Sequence, residues 1–227
     1  MRHGVVKGML VLLALLVCAG CQRFFVRTDA LQAVKRIAIV QHAVDPNGLR
    51  GATHLLEAKT RTAEANVKTF ARMWTEGRYE VVPLDVVTAH PVYVSVSTPE
   101  VAGYYTAPGM RFVTGRQAVE STTLAPEMAR TLATALDVDA VAVIYERWSL
   151  STEVVGIRSR AFSTLVVTVY GRDGAPVWTD EAFGESEATL ATPGGVVATE
   201  LPALVLAFNQ SCAAALDVMQ RRLAAAR

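Results

Sequence analysis

The sequence is poor in the residues that most metal and redox sites require. Its 227 residues include three cysteines and four histidines. His42, His54 and His90 stand singly, and no His-x-His, His-Glu-x-x-His or Cys-x-x-Cys spacing occurs. The sequence therefore predicts no metal site and no cofactor. His42, which follows an apolar run, stays open as a ligand or as a loop or capping histidine.

Charge is scarce as well. Charged residues make up 19% of the chain and hydrophobic residues 52%, a composition that supports a folded core and excludes a disordered tail. Without residues 1–20, which include Arg2 and Lys7, the chain keeps 20 basic and 21 acidic side chains. Because this balance is near neutral and no run of lysine and arginine occurs, we expect no nucleic-acid partner.

The common motifs of nucleophilic catalysis are missing. Neither Gly-x-Ser-x-Gly nor Ser-x-x-Lys occurs, so we expect a protein that is not an enzyme. Carboxylates leave one alternative open, because Glu146 and Glu153 flank the end of a predicted central strand and Asp180 lies on the hairpin that follows. Together they would suit an envelope hydrolase. The other interpretation is a charged, solvated strand edge.

The clearest pattern is the N-terminus. Arg2 and Lys7 precede an apolar run from Met9 to Val17, and small residues then lead into Ala19-Gly20-Cys21. This layout predicts a secretory signal peptide over residues 1–20, with cleavage between Gly20 and Cys21. A plain secretory signal or a membrane anchor that happens to contain cysteines is the alternative. No second apolar run approaches the length of a membrane span.

The end of this segment resembles the lipobox of bacterial lipoproteins, although that family prefers leucine where Cys18 stands. The resemblance implies that Cys21 carries S-linked diacylglycerol and an N-acyl group, and more than one acyl chain gives stable anchoring. Gln22 in place of aspartate fits the enterobacterial rule for outer-membrane sorting. We therefore expect a lipid-anchored protein on the periplasmic side of the outer membrane. Cys212, on an apolar helical stripe, is expected to be buried and unpaired.

The remaining chain predicts a short tether over residues 21–33 and a single α/β domain over residues 34–227. Apolar periodicity, turn signals and helix caps predict the order β-α-β-(insertion)-α-β-β-β-α. We expect a mixed β-sheet with flanking helices, of the α/β (α+β) class. The predicted elements are strands Val34–Val40 and Tyr79–Pro83 around a helix over 53–76, a helix Pro126–Leu136, a strand Val141–Tyr145, a hairpin turning at Arg172-Asp173-Gly174, and a last helix from about Thr199 or Leu201.

Between these elements, residues of about 85–125 are rich in proline and glycine and predict a long irregular insertion. Insertions of this length often carry function. Tyr93, Tyr104 and Tyr105 are our candidate partner contacts within it. The predicted hairpin of residues 160–185 could suit a membrane hairpin by length, but Asp180 and Glu181 on its two faces favour a soluble one.

The pattern as a whole resembles a group of envelope lipoproteins that comprises CsgG, LpoB and the N-terminal domain of TolB. The residues that carry this resemblance are Cys21, the opening strand 34–40, the passage 136–143 from helix to strand, and the segment 174–184. The resemblance implies a non-enzymatic accessory, assembly or scaffold subunit of an envelope complex. Its protein partner is unknown and a homo-oligomer is possible. An oligomeric subunit of an export pore or transporter is the alternative.

Overall fold

The structure is a computed structural model that describes residues 23–46, 56–152, 158–191 and 200–225. The predicted signal peptide, Cys21 and Glu153 lie outside the described residues. The strands are β1 (Phe25–Val26), β2 (Arg36–Asp45), β3 (Glu80–Val81), β4 (Ala140–Thr152), β5 (Arg158–Gly171) and β6 (Pro176–Ala191). The helices are α1 (Thr28–Ala33), α2 (Leu56–Glu76), α3 (Leu84–Ala89), α4 (Pro91–Val96), α5 (Pro126–Ala135) and α6 (Leu201–Ala225).

The described strands form one six-stranded mixed sheet in the order β1-β6-β5-β4-β2-β3. β2 pairs in parallel with β3 and β4, while β4, β5, β6 and β1 follow one another antiparallel. The predicted fold class is therefore confirmed. At the β5–β6 turn, Gly174 has φ +81°, and a Cβ there would overlap the carbonyl of Pro126. Only glycine fits this turn, which anchors the hairpin against α5.

The expected tether is folded from Phe25 onward. Phe25 and Val26 pair with Thr179 and Trp178 of β6, and α1 buries Leu31 in the core. This short segment covers the outer edge of β6, where unpaired backbone groups would otherwise remain. A two-residue strand is too short to show an alternating pattern, so it has no signature in the sequence.

Two layers cover the sheet. The face that we call the helical face is covered by α2 and α6, which pack on apolar side chains of all four central strands. The opposite face, which we call the insertion face, is covered by α5 and the segment 84–125. The core therefore lies on both sides of β2 and β4, as expected for strands that are continuous apolar runs.

Among the described residues, α6 is long and apolar enough by composition to span a membrane. Asn209, Gln210 and Ser211 interrupt its apolar stretch, so no long unbroken apolar run occurs here, and the core helix of a folded domain passes the same test. In the fold α6 buries nine residues, including Phe208, Cys212 and Met219. It is the core helix of the helical face, and the predicted burial of Cys212 is confirmed.

The insertion is more regular than its composition predicts. Pro91 begins α4, and the side chain of His90 accepts a hydrogen bond from the Val92 amide at 3.3 Å. Isolated bridges then join Thr98 to Phe112 and Val44 to Tyr105. Proline in the first turn of a helix is compatible with helix formation, so Pro91 marks the start of a short helix rather than an unstructured loop.

Candidate functional site

A β-bulge in β2 determines which side chains of this strand face α2 and α6. The pairing with β4 shifts between Ile39 and Gln41, so one residue of β2 is left without a partner. Ile39 faces α2 and α6, whereas Val40 and Gln41 both face the insertion. The bulge thereby turns His42 onto the helical face, which strict alternation from Ile39 would not do.

His42 belongs to a group of five fully buried polar side chains that we call the buried polar cluster. Its members come from β2, α2, β4, β5 and α6: His42, Asn66, Glu146, Ser163 and Ser211. Glu146 is the centre. Its oxygens accept hydrogen bonds from the Asn66 amide at 2.8 and 2.9 Å and from the Ser163 hydroxyl at 2.9 Å.

The imidazole completes the shell of this carboxylate. His42 Nε2 lies 3.0 Å from Glu146 Oε2, and because a carboxylate only accepts, Nε2 is the donor. The other ring nitrogen, Nδ1, is buried without a hydrogen-bond partner. A buried carboxylate needs such donors to offset its desolvation. The cluster therefore surrounds Glu146 with hydrogen-bonding groups in the interior.

Further hydrogen bonds extend the cluster across the two helices. Ser163 and Ser211 hydroxyls lie 2.7 Å apart, and Ser211 donates to the Phe208 carbonyl at 3.0 Å. The Asn209 amide donates to Asn66 Oδ1 and to the Thr69 hydroxyl, both at 3.1 Å. The polar residues thus join α2 to α6 and both helices to the sheet. Hydrogen bonds of this kind form at only one relative position of the helices and the sheet, whereas apolar contacts can form at several.

The cluster contains an acid, an imidazole, a hydroxyl and a nearby thiol, but not in a catalytic order. In a nucleophilic triad the imidazole stands between the hydroxyl and the acid. Here both His42 and Ser163 contact Glu146 instead. Burial, together with the charge of Glu146, raises the pKa of the Cys212 thiol well above its usual value, so this cysteine stays protonated and unreactive.

The acids proposed for hydrolysis do not converge. Glu146 and Asp180 lie on strands separated by β5, and each has its own partners. Asp180 Oδ1 accepts from Arg222 of α6 at 2.7 Å, and burial raises the pKa of Asp180 against the opposing effect of Arg222. The interpretation of Glu146 and Asp180 as solvated edge residues is also wrong, since both are fully buried. Glu153 lies outside the described residues.

The predicted histidine roles have separate outcomes. His42 follows no strand end, because β2 continues to Asp45, and it is a buried member of the cluster rather than a loop residue. His90 caps α4. His54 lies outside the described residues. Within the part of the chain that the structure describes, no group of three or more His, Cys, Asp or Glu side chains could hold a metal ion.

A second polar group lies beside the end of β2 and the middle of β4, on the insertion face. We call it the surface charge cluster, and it consists of Asp45, Tyr104, Glu120, Tyr145 and Arg147. Arg147 Nε lies 3.6 Å from Asp45 and 3.1 Å from the Tyr145 hydroxyl, and its Nη2 lies 3.4 Å from Glu120. Tyr104 donates to Glu120 at 2.9 Å. Burial and Glu120 raise the pKa of Tyr104 to about 12.

The candidate partner tyrosines differ in their surroundings. Tyr93 is fully buried, and its hydroxyl donates to the Arg111 carbonyl and accepts from the Arg111 amide, so its predicted exposure to a partner is wrong. Tyr104 and Tyr105 are half-buried and line a groove of about 570 Å³ over residues 99–106 and Phe112. The Lys59 ammonium lies 4.9 Å from the centre of the Tyr105 ring. We call this groove the insertion groove.

No family model matches the sequence, and no curated protein matches it. Among solved structures, the lipoprotein GNA1162 from Neisseria meningitidis is 13% identical with a TM-score of 0.35, over 83% of this chain and 96% of that chain. A PelC dodecamer from Paraburkholderia phytofirmans is 13% identical with a TM-score of 0.23, over 78% of this chain and 89% of that chain.

The first of these proteins is a lipoprotein by name, and that name describes the Neisseria protein alone. Scores this low carry no argument about function, and neither protein supports the specific resemblance to CsgG, LpoB or TolB. The function must therefore be inferred from this chain's own residues.

Proposed function

We propose that this protein is an outer-membrane lipoprotein on the periplasmic side, acting as a non-enzymatic accessory or assembly subunit of an envelope complex. Lipidated Cys21 anchors it, and a protein partner binds at the insertion groove. The observation that carries the proposal is the lipobox sequence at Cys21, four residues before the first residue of β1.

The burial of the candidate acid and base residues supports a function without catalysis. A general acid or base must reach its substrate, yet Glu146, His42 and Asp180 are fully buried and already bound to internal partners. Catalytic acids are usually found in clefts with access to ligand. These groups are better suited to stabilising the fold.

The insertion groove supports a partner at that surface. It combines backbone of a glycine-containing turn with the half-buried rings of Tyr104 and Tyr105, and Tyr104 donates to Glu120, which pairs with Arg147. Tyrosine and arginine are enriched at protein interfaces, since each offers a large contact area with polar ends. Side chains fixed by existing hydrogen bonds would also lose little conformational entropy on binding.

The first experiment tests the anchor. Globomycin treatment of the source bacterium, or a C21A substitution, should block maturation, so that the uncleaved precursor accumulates and does not reach the outer-membrane fraction. Mass spectrometry of the mature N-terminus should find diacylglycerol and N-acyl groups on Cys21. Normal maturation and fractionation of the C21A variant would contradict the lipoprotein assignment.

The second experiment tests the partner. A photo-crosslinking amino acid at exposed Ala102, in the groove, should give one dominant adduct with an envelope protein in intact cells. The matched control places it at exposed Arg72 of α2, outside the groove. Equal patterns from both positions would contradict groove binding. A detergent-extracted mass of many copies, with self-adducts only, would favour the pore alternative.

A further inference from the structure

Exposed aromatic side chains are concentrated at one edge of the sheet. Six large hydrophobic residues are exposed among the described residues: Phe24, Phe25, Val86, Val94, Phe183 and Leu206. The three phenylalanines, at 46%, 44% and 43% exposure, belong to β1, the residue before it, and β6. Singly exposed apolar residues are common, but three large rings on one edge require an explanation.

Strand pairing places Phe25 and Phe183 on one face of the sheet. Phe25 lies opposite Thr179, and side chains of directly opposed residues point to the same face of a sheet. Phe183 is four residues beyond Thr179 on the same strand, so it points to that face as well. Because β1 and β6 are antiparallel, the chain before Phe25 enters β1 from the end of β6 on which Phe183 lies.

The sequence before Phe24 limits what can lie beside this edge. Only Gln22 and Arg23 separate Cys21 from Phe24, and three residue steps of about 3.4 Å reach about 10 Å. The inference rests here on the proposed function, because it takes Cys21 as the lipidated residue. Acyl chains on Cys21 must lie in the bilayer, so the lipid surface is within about 10 Å of Phe24.

We propose that the edge formed by Phe24, Phe25 and Phe183 rests on the lipid surface, with its rings at the boundary of headgroups and acyl chains. Phenylalanine on the apolar side of interfacial segments is typical of proteins that lie on a membrane. The contact fixes the orientation of the domain. β2 and the insertion groove lie three strands away from β6, so the groove stays at a distance from the docking edge and accessible to a periplasmic partner.

Neighbouring charges limit the depth of this contact. Glu181 lies half-buried between Thr179 and Phe183, and Glu185 lies 3.9 Å from Arg160 in an ion pair. Arg23 is exposed beside the rings. Carboxylates at this position are costly in hydrocarbon, whereas a cation is attracted to anionic headgroups. The rings therefore reach headgroup depth without deeper insertion.

The test uses the full lipidated chain in vesicles of phosphatidylethanolamine and phosphatidylglycerol. Nitroxide labels are attached in the F25C and F183C variants, with F24C as a second choice should F25C weaken β1. The matched control is V86C on α3, which packs beside β2 at the far side of the sheet. Native Cys212 is fully buried, and the unsubstituted protein measures its background labelling.

The measurement is the ratio of collision rates of the label with oxygen and with a water-soluble nickel chelate. We expect this ratio to be several-fold higher at positions 25 and 183 than at position 86, because oxygen concentrates in lipid and nickel in water. Equal ratios at all three positions in vesicle-bound, lipidated protein would overturn the proposed contact of this edge with lipid and would leave the lipoprotein assignment intact. Dipolar broadening of the label at position 183 would overturn it in favour of a second copy. Absence of lipid on Cys21 by mass spectrometry would overturn both this inference and the proposed function.

Discussion

Glu146 and Arg147 are neighbours in the chain, yet they belong to two regions with opposite properties. Glu146 points to the helical face and is completely buried in the buried polar cluster, whereas Arg147 points to the insertion face, 49% exposed, in the surface charge cluster. Successive side chains of a strand point to opposite faces, so one peptide bond separates an interior charge from an exposed one. A charged residue in the sequence is therefore not by itself evidence of an exposed position.

The two clusters should differ strongly in energy. Removal of one partner from a buried charged group leaves the others desolvated and unpaired, at a cost of about 3–5 kcal/mol. Exposed ion pairs contribute about 0–1 kcal/mol, because water and salt screen them. If this difference holds, the buried polar cluster stabilises the fold, and the surface charge cluster is free to change when a partner binds.

The largest expected effect is that of E146A. It leaves His42, Asn66 and Ser163 without their common acceptor, so we expect a loss of about 3–5 kcal/mol in the free energy of unfolding. The matched control, E120A in the surface charge cluster, should change it by less than about 0.5 kcal/mol. Urea denaturation measures both. Similar losses in the two variants would remove the distinction between the clusters.

The next effect concerns the contact between β6 and α6. A Cβ at Gly184 would overlap the Ser211 oxygen and the Ala215 nitrogen of the helix backbone. G184A should therefore cost about 3 kcal/mol, at the upper end for overpacking. The control is G115A, where no atom lies within 4 Å of the added Cβ, and it should be nearly neutral. Thermal unfolding distinguishes them, and a neutral G184A would mean that α6 packs less closely on β6.

A smaller effect is expected from single hydroxyl groups. S163A removes the hydrogen bonds to Glu146 and Ser211 in the interior, which should cost about 1–3 kcal/mol. Y104F removes one hydrogen bond to Glu120 at the half-exposed insertion groove and should cost less than about 0.5 kcal/mol. Chemical denaturation of the pair tests the comparison. A larger loss in Y104F would show that the insertion groove depends on this hydrogen bond.

The smallest effect concerns pH. Burial raises the pKa of Asp180, so the folded state keeps this proton where the unfolded chain has lost it. The contribution of Asp180 to stability is therefore present below its unfolded value of about 3.9 and is lost as pH rises through the higher folded pKa. D180N should lack this pH dependence. As pH falls through that window, the free energy of unfolding of the wild type should rise relative to that of D180N.

Asp173 supplies the control for this prediction. A hydrogen bond from the Ala175 amide lowers the pKa of Asp173, so its contribution is present above the unfolded value and is lost as pH falls through the folded one. The difference between wild type and D173N should therefore change with pH in the opposite direction. Unfolding free energies of both variants between about pH 3 and about pH 6 test the sign. Parallel curves for the two variants would contradict the pKa shifts.

Much of the fold is predictable from local signals. Apolar runs at β2 and β4, Pro126 at the start of α5, and Asp173-Gly174 at the β5–β6 turn all depend on neighbouring residues only. The edge strand β1 is different, because two residues have no periodicity and their pairing is provided by β6, far along the chain. Tyr93 illustrates the same limit, since its place in a proline- and glycine-rich insertion suggested a partner contact, whereas Pro91 begins a helix that buries it.

The buried polar cluster was not predicted, although each member is visible in the sequence. His42 follows an apolar run and Glu146 ends one, which was the available signal that both belong to strands passing through the core. Whether they meet depends on the bulge between Ile39 and Gln41, which decides the face on which His42 lies. A bulge leaves no mark in hydrophobic periodicity when both faces of the strand are buried.

The sequence by itself determined the class of fold, its order of elements and the lipobox pattern at Cys21, because strand and helix periods, turn residues and processing motifs are written in short stretches of chain. Tertiary structure alone decided which charges are interior, which rings remain exposed and where the first strand attaches. These properties depend on the partner that each side chain meets across the sheet, and that partner comes from a distant part of the chain.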